Sequence, residues 1–112
     1  MLAIIDYDAG NTYNLIKAFD YLQIKTVLTA DPQFIEQSQG LVLPGVGAFA
    51  PAIATLQQRK LDLIIKQQVA AGKPLLGICL GMQLLFDSST EYGLHQGLGL
   101  IPGKVIAFDP QK

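Results

Sequence analysis

One cysteine, one histidine and no tryptophan occur in 112 residues, and only 15% of the chain is charged. A lone cysteine cannot close an internal disulfide, which sets aside the stapled framework of small secreted domains. With no Cys/His cluster, no zinc or other metal site is expected, and no residue pattern calls for a cofactor. Nucleic acid would want a basic face, whereas the formal net charge is −1. No apolar run is long enough for a membrane span, because Gly, Lys or Gln interrupts the longest ones. The opening Met1-Leu2-Ala3-Ile4-Ile5-Asp6 has no basic region before its apolar residues and meets an acid at once, unlike a signal peptide. Half of the residues are hydrophobic, so disorder is excluded. These features predict a soluble, cytoplasmic, globular chain with no nucleic-acid or membrane partner.

Short apolar runs alternate with stretches of helical period. That pattern predicts an α/β fold with an open, mainly parallel sheet and helices on both faces. Residues 2–5 are continuously apolar, as a strand covered on both sides would be. A polar, Gly-containing loop follows over residues 6–11. Leu15, Ala18, Phe19 and Leu22 then fall on one stripe of a helix. Residues 26–29 read as a second strand, and Ala30-Asp31-Pro32 as the start of a short helix. A third strand, 41–43, stops at Pro44-Gly45. Ile53 and Leu56, then Leu61, Ile64, Ile65 and Val69, fit helices, the latter ended by Ala71-Gly72-Lys73-Pro74. Residues 75–78 read as a fourth buried strand, 81–86 as the opening of a helix and 87–96 as a polar loop. Residues 98–101 and 104–108 flank Pro102-Gly103 as a strand pair. No closing helix follows them, so the chain reads as a piece of a longer domain with a sheet edge uncovered.

Gly77-Ile78-Cys79-Leu80-Gly81 carries the chemistry. It lies between an apolar strand and a helix, the sulfur counterpart of the G-x-S-x-G nucleophile elbow. A side chain at the tip of a sharp, strained turn is presented beyond the strand's carboxyl end, and flanking glycines leave room for it. The N–H groups opening the next helix suit negative charge on an oxyanion, with Leu80 N–H as the first donor. A cysteine among apolar residues is otherwise a small buried hydrophobe. The Gly-rich segment Pro44-Gly45-Val46-Gly47-Ala48-Phe49, at the end of a neighbouring strand, shifts the balance. It can turn the N–H of Val46 or Gly47 toward the same point as a second donor. The missing part is a base, which a cysteine hydrolase usually draws from an imidazole oriented by a carboxylate. His95, the sole histidine, reads as a solvent-exposed loop residue.

The stretch from Leu76 through Gly77-Ile78-Cys79-Leu80-Gly81-Met82-Gln83 to Phe86 resembles the nucleophile motif of class I glutamine amidotransferases. Leu43-Pro44-Gly45-Val46-Gly47 resembles their oxyanion strand. Asp6-Tyr7-Asp8-Ala9-Gly10-Asn11, Gly45-Val46-Gly47-Ala48-Phe49 and Gly97-Leu98-Gly99-Leu100-Ile101-Pro102-Gly103 are similar to the subfamily that passes ammonia to a (β/α)8 synthase barrel in histidine biosynthesis. The resemblance covers essentially the whole chain and implies a flavodoxin-like sheet, C-terminally truncated. Residues 1–112 would form the N-terminal portion of a single amidotransferase domain.

It further implies that Cys79 attacks glutamine to give a glutamyl thioester and ammonia. Val46 and Leu80 would offer backbone N–H groups to the oxyanion. Gly45, Gly47, Gln83 and Glu91 would line or hold the substrate, and Asn11 and Asn14 would face the barrel subunit, with no metal and no cofactor. Asn14 also reads as an ordinary first-turn helix residue, and Glu91 as a solvated loop acid. The family's catalytic histidine and glutamate belong to a later stretch that is absent here, so this chain alone would be inactive. Thr12-Tyr13 departs from the usual residues after the Gly-Asn pair. Three alternatives stay open: a non-catalytic docking module, a cysteine hydrolase or redox protein with another acid or base, and the glutaminase subunit of another class I amidotransferase.

Overall fold

The computed structural model describes residues 1–10 and 12–109. The apolar runs become strands β1 (Leu2–Ile5), β2 (Thr26–Thr29), β3 (Gly40–Leu43) and β4 (Leu75–Gly77). They lie in the order β2-β1-β3-β4, and every pairing is parallel. This is the flavodoxin-like order, with the chain doubling back across β1 to build the sheet in both directions. Pleating sends alternate side chains to opposite faces. On one face Ala3, Ile5, Leu41 and Leu43 are buried under α2 (Pro32–Gln37), α3 (Phe49–Gln58) and α4 (Leu61–Ala70). On the other, Ile4 and Val42 pack against Phe19 of α1 (Tyr13–Tyr21). Helices therefore cover both faces, as expected.

Local signals explain several boundaries. Asp31 caps α2 by accepting from Gln33 N–H at 2.9 Å, and Pro32 follows at the helix start, where its missing N–H costs nothing. The last helical residues of α4 give way to Gly72 at φ +98°. Two expectations about these elements need correction. The buried stripe of α1 runs through Leu15, Ile16 and Phe19, whereas Ala18 is exposed and Leu22 is an exposed C-cap. Strand β4 is not fully buried: it is an edge of its sheet, and Leu76 is 51% exposed.

Beyond β4 come α5 (Leu80–Leu84), β5 (Phe86–Ser89), β6 (His95–Gln96) and β7 (Ile101–Val105). The last three form a separate sheet ordered β6-β5-β7, with β5 antiparallel to β6 and parallel to β7. Here the sequence reading fails in three places. The helix ends at Leu84 rather than at Phe86. The polar stretch 87–96 contains β5's later residues and β6, with Ser88 and Ser89 buried. The supposed pair around Pro102-Gly103 is one strand, β7, running through both residues. Its position at the sheet edge tolerates Pro102, which lacks an N–H for a ladder bond. A register shift between Phe86 and Ser88 is accompanied by Gly103 at φ +131°, whose N–H donates to Asp87 Oδ2 at 3.1 Å.

Among the described residues no helix is long and apolar enough to cross a membrane.

Candidate active site

Cys79 stands where β4 turns into α5. Its backbone has φ 55° and ψ −125°, a conformation that L-residues avoid, and its side chain is exposed. The turn is tied in from both sides. Ile78 N–H donates to Leu43 O at 3.0 Å, and Met82 N–H donates to Cys79 O at 3.0 Å. The flanking glycines are demanded by space. A Cβ on Gly77 would lie 2.7 Å from the Met82 Cα, and one on Gly81 would lie 1.9 Å from the Leu43 carbonyl oxygen. The G-x-C-x-G spacing is thus a packing requirement: α5 is pressed so close to β3 and β4 that neither position admits a side chain.

The glycine loop after β3 runs beside this elbow. Pro44 and Gly45 are buried, while Val46 and Gly47 are exposed, Gly47 at φ +92°. Leu80 N–H donates to Gly45 O at 3.0 Å. Leu43 O and Gly45 O therefore take Ile78 N–H and Leu80 N–H in succession, which continues the β3–β4 ladder past the end of β4. Across a trans peptide the C=O and N–H point in opposite directions. With Gly45 O turned to Leu80, Val46 N–H faces away from it.

Gln83 lies one helical turn after Cys79, on the same side of α5. With Ser89, Thr90, Glu91 and residues 105–107 it lines a cavity of about 200 Å³. The structure thus brings Gln83 and Glu91 to one pocket, although they come from different elements. Glu91 also has a local role, since its Oε1 accepts from Phe49 N–H at 3.0 Å, at the first residue of α3. A carboxylate there meets unpaired N–H groups and the positive end of the helix. Asn14 is exposed in the first turn of α1, and Asn11 lies outside the described residues. His95 is half-buried in β6, opposite Ser89, with Nε2 3.1 Å from Tyr92 O, so it is a strand residue and not a free loop one.

Sequence reasoning gave no role to Tyr7. It is 2% exposed, and its hydroxyl donates to Pro44 O at 2.5 Å, at the root of the glycine loop. Burial pushes its phenol up to about 12. The only sequence signal was an aromatic placed two residues beyond a strand end. Asp8, its neighbour in the same loop, is ion-paired with Arg59 at the end of α3.

The elbow, the glycine loop and the parallel sheet together define a class. Residues 3–107 match the family described as glutamine amidotransferase class-I, and the chain belongs to that family. Among curated relatives, the imidazole glycerol phosphate synthase subunit HisH of Lactiplantibacillus plantarum is 61% identical over 107 residues, covering 96% of this chain and 51% of that protein. The subunit of the same name from Sulfurimonas denitrificans is 51% identical over 112 residues, covering 100% of this chain and 54% of that protein. The chain thus spans about half the length of these relatives. A crystal structure of a glutamine amidotransferase superposes with a TM-score of 0.78 at 19% identity, over 93% of this chain and 55% of that one, which supports the fold.

Proposed function

We propose that this chain is the nucleophile-bearing portion of a glutaminase subunit that serves a (β/α)8 synthase barrel in histidine biosynthesis, as a cytoplasmic heterodimer with lyase activity in the assembly. The observation that carries the reading is Cys79, exposed at positive φ between two glycines whose side-chain positions are already filled. The Cys79 sulfur attacks the carboxamide carbon of glutamine, and the carbonyl π pair moves onto oxygen. Collapse of that intermediate breaks the C–N bond, and the nitrogen leaves as ammonia after taking a proton. Water then cleaves the thioester to glutamate. Gln83 and Glu91 are the proposed holds for the amino-acid end of the substrate, within the pocket they share. Gly45 and Gly47 give the loop its close approach, and Asn11 and Asn14 are the proposed contacts to the barrel.

The oxyanion step places a geometric condition on this reading. Leu80 N–H is engaged by Gly45 O, and Val46 N–H faces away. Turning the Gly45–Val46 peptide over would release the first donor and aim the second, so one rotation would build both halves of the hole. The proton transfers need an imidazole, and the resemblance assigns it to a stretch not among these 112 residues. Similarity to HisH subunits over nearly the whole chain supports the substrate and the partner.

The test is glutamate release from glutamine by the full-length subunit with its barrel partner. Cys79→Ala should abolish it, and the 112-residue chain alone should release none. Turnover by the Cys79→Ala protein would overturn the assignment. Binding of the barrel by a full-length subunit that shows no turnover would favour a docking module.

A further inference from the structure

Two consecutive carbonyls at the root of the glycine loop point to opposite sides, as in an extended strand. Gly45 O meets Leu80 N–H on the β4 side. Pro44 O meets the Tyr7 hydroxyl on the β1 side, at 2.5 Å. Strand β1 has already stopped at Ile5, so the phenol stands where a further strand would have offered a backbone donor. We propose that Tyr7 is a positioning residue for the Gly45–Val46 peptide. Its hydroxyl keeps the segment extended and Gly45 O seated on Leu80 N–H, so that the donor stays closed until the Tyr7–Pro44 bond is released. The proposal rests on reading Leu80 and Val46 as the oxyanion donors.

The surroundings of the phenol fit this role. A Cβ on Gly45 would lie 2.8 Å from the Tyr7 hydroxyl oxygen, so the phenol oxygen sits directly against the loop backbone. A Cβ on Gly10 would lie 2.6 Å from Val46 Cγ2, so the turn that carries Tyr7 also closes on the next residue of the loop. The Gly45–Val46 peptide therefore lies between the segment that carries Tyr7 and the elbow, whose Gly81 N is also 2.8 Å from the Gly45 Cβ position. With its phenol pushed up to about 12, Tyr7 remains a protonated donor throughout the neutral range.

Tyr7→Phe keeps the ring and removes the bond. Amide hydrogen exchange in this variant should speed at Leu80 by roughly 2- to 10-fold, the shift expected from losing one hydrogen bond, while Ile78, bonded to Leu43 O, exchanges as before. No change at Leu80, or an equal rise at Ile78, would overturn the proposal. Covalent labelling separates it from the functional reading on which it rests. A glutamine-derived chloromethyl ketone, which builds an oxyanion as it reacts, should label Cys79 faster in Tyr7→Phe by a similar factor, and iodoacetamide, which builds none, should not. Faster Leu80 exchange without that difference would uphold Tyr7 as the hold on the loop and overturn Leu80 as an oxyanion donor. Should Tyr7→Phe fail to fold, tyrosine can be replaced by 3-fluorotyrosine, a stronger donor; Tyr13, Tyr21 and Tyr92 are exposed, at 64%, 88% and 87%. Leu80 exchange should then slow relative to Ile78, and an unchanged ratio would refute the role.

Discussion

Two turns leave neighbouring strands at the same end of the sheet, and they are held by different balances of packing and bonding. The elbow after β4 has exclusion added to its backbone bonds: Gly77 and Gly81 sit so close to other backbone that their Cβ positions are occupied. The loop after β3 relies more on bonds, with close packing only at its Gly45 root: Pro44 O accepts from the Tyr7 hydroxyl, Gly45 O from Leu80 N–H, and Glu91 from Phe49 N–H. Repulsion at close contact cannot be relaxed without moving an element, whereas each of these bonds can be exchanged for another at modest cost. The elbow is thereby held by close contact beside a loop whose position depends on exchangeable bonds.

Substitutions that strain one region and spare the other sharpen this contrast. Gly81→Ala should have the largest effect. Its Cβ would fall 1.9 Å from Leu43 O, so α5 must move off β3, and a loss above about 4 kcal/mol is expected in denaturant unfolding. A loss below about 1 kcal/mol would show that the elbow yields after all. Next comes an alkaline effect at Tyr7. Its phenol is raised from 10.0 to about 12 in the folded chain, so its contribution is complete below pH 10 and disappears as pH rises through about 12. The wild-type protein should lose about 2–3 kcal/mol across that window relative to Tyr7→Phe, as the difference between their unfolding curves against pH. Parallel curves would mean that the phenol is not desolvated.

Glu91→Ala removes the carboxylate at the start of α3 and frees the far end of the loop. About 1–2 kcal/mol of stability should be lost, with faster amide exchange at Phe49. The smallest effect belongs to Gly47→Ala. Nothing lies within 4 Å of the added Cβ, and only the φ of +92° opposes it, so about 1 kcal/mol is expected. The distance between Gly81→Ala and Gly47→Ala in the same melting experiment measures how far packing exceeds backbone preference in fixing the two turns.

The parts of the fold that were legible in the sequence are those where burial and composition agree. The runs at 2–5 and 41–43 are apolar because both faces of their strands are covered, and Asp31-Pro32 announces a helix start through its own chemistry. The second sheet was illegible for the opposite reason. Asp87, Ser88 and Ser89 are polar, yet the two serines are buried between β6 and β7, so their composition gives no sign of a covered strand. Pro102-Gly103 has the composition of a turn and occupies an edge strand whose outer side needs no donor. Within the site, Cys79 announced itself because its glycines lie two residues away on either side. Tyr7 did not, because its hydroxyl acts on a carbonyl 37 residues away. The double duty of Glu91, at the pocket and on α3, likewise depends on a contact spanning 42 residues.

One feature of the main sheet bears on the behaviour of the chain in the test tube. Among the described residues strand β4 is the last in its sheet, and beside its open edge Leu76 is half exposed over an apolar hollow that reaches Leu2 and Val42. An unpaired backbone edge flanked by bare apolar surface is a template for adding another strand. Crowding and warming increase the encounters through which such an edge recruits its own kind. Turbidity of the purified chain is therefore expected to rise with protein concentration, and a charged residue in place of Leu76 should lower it.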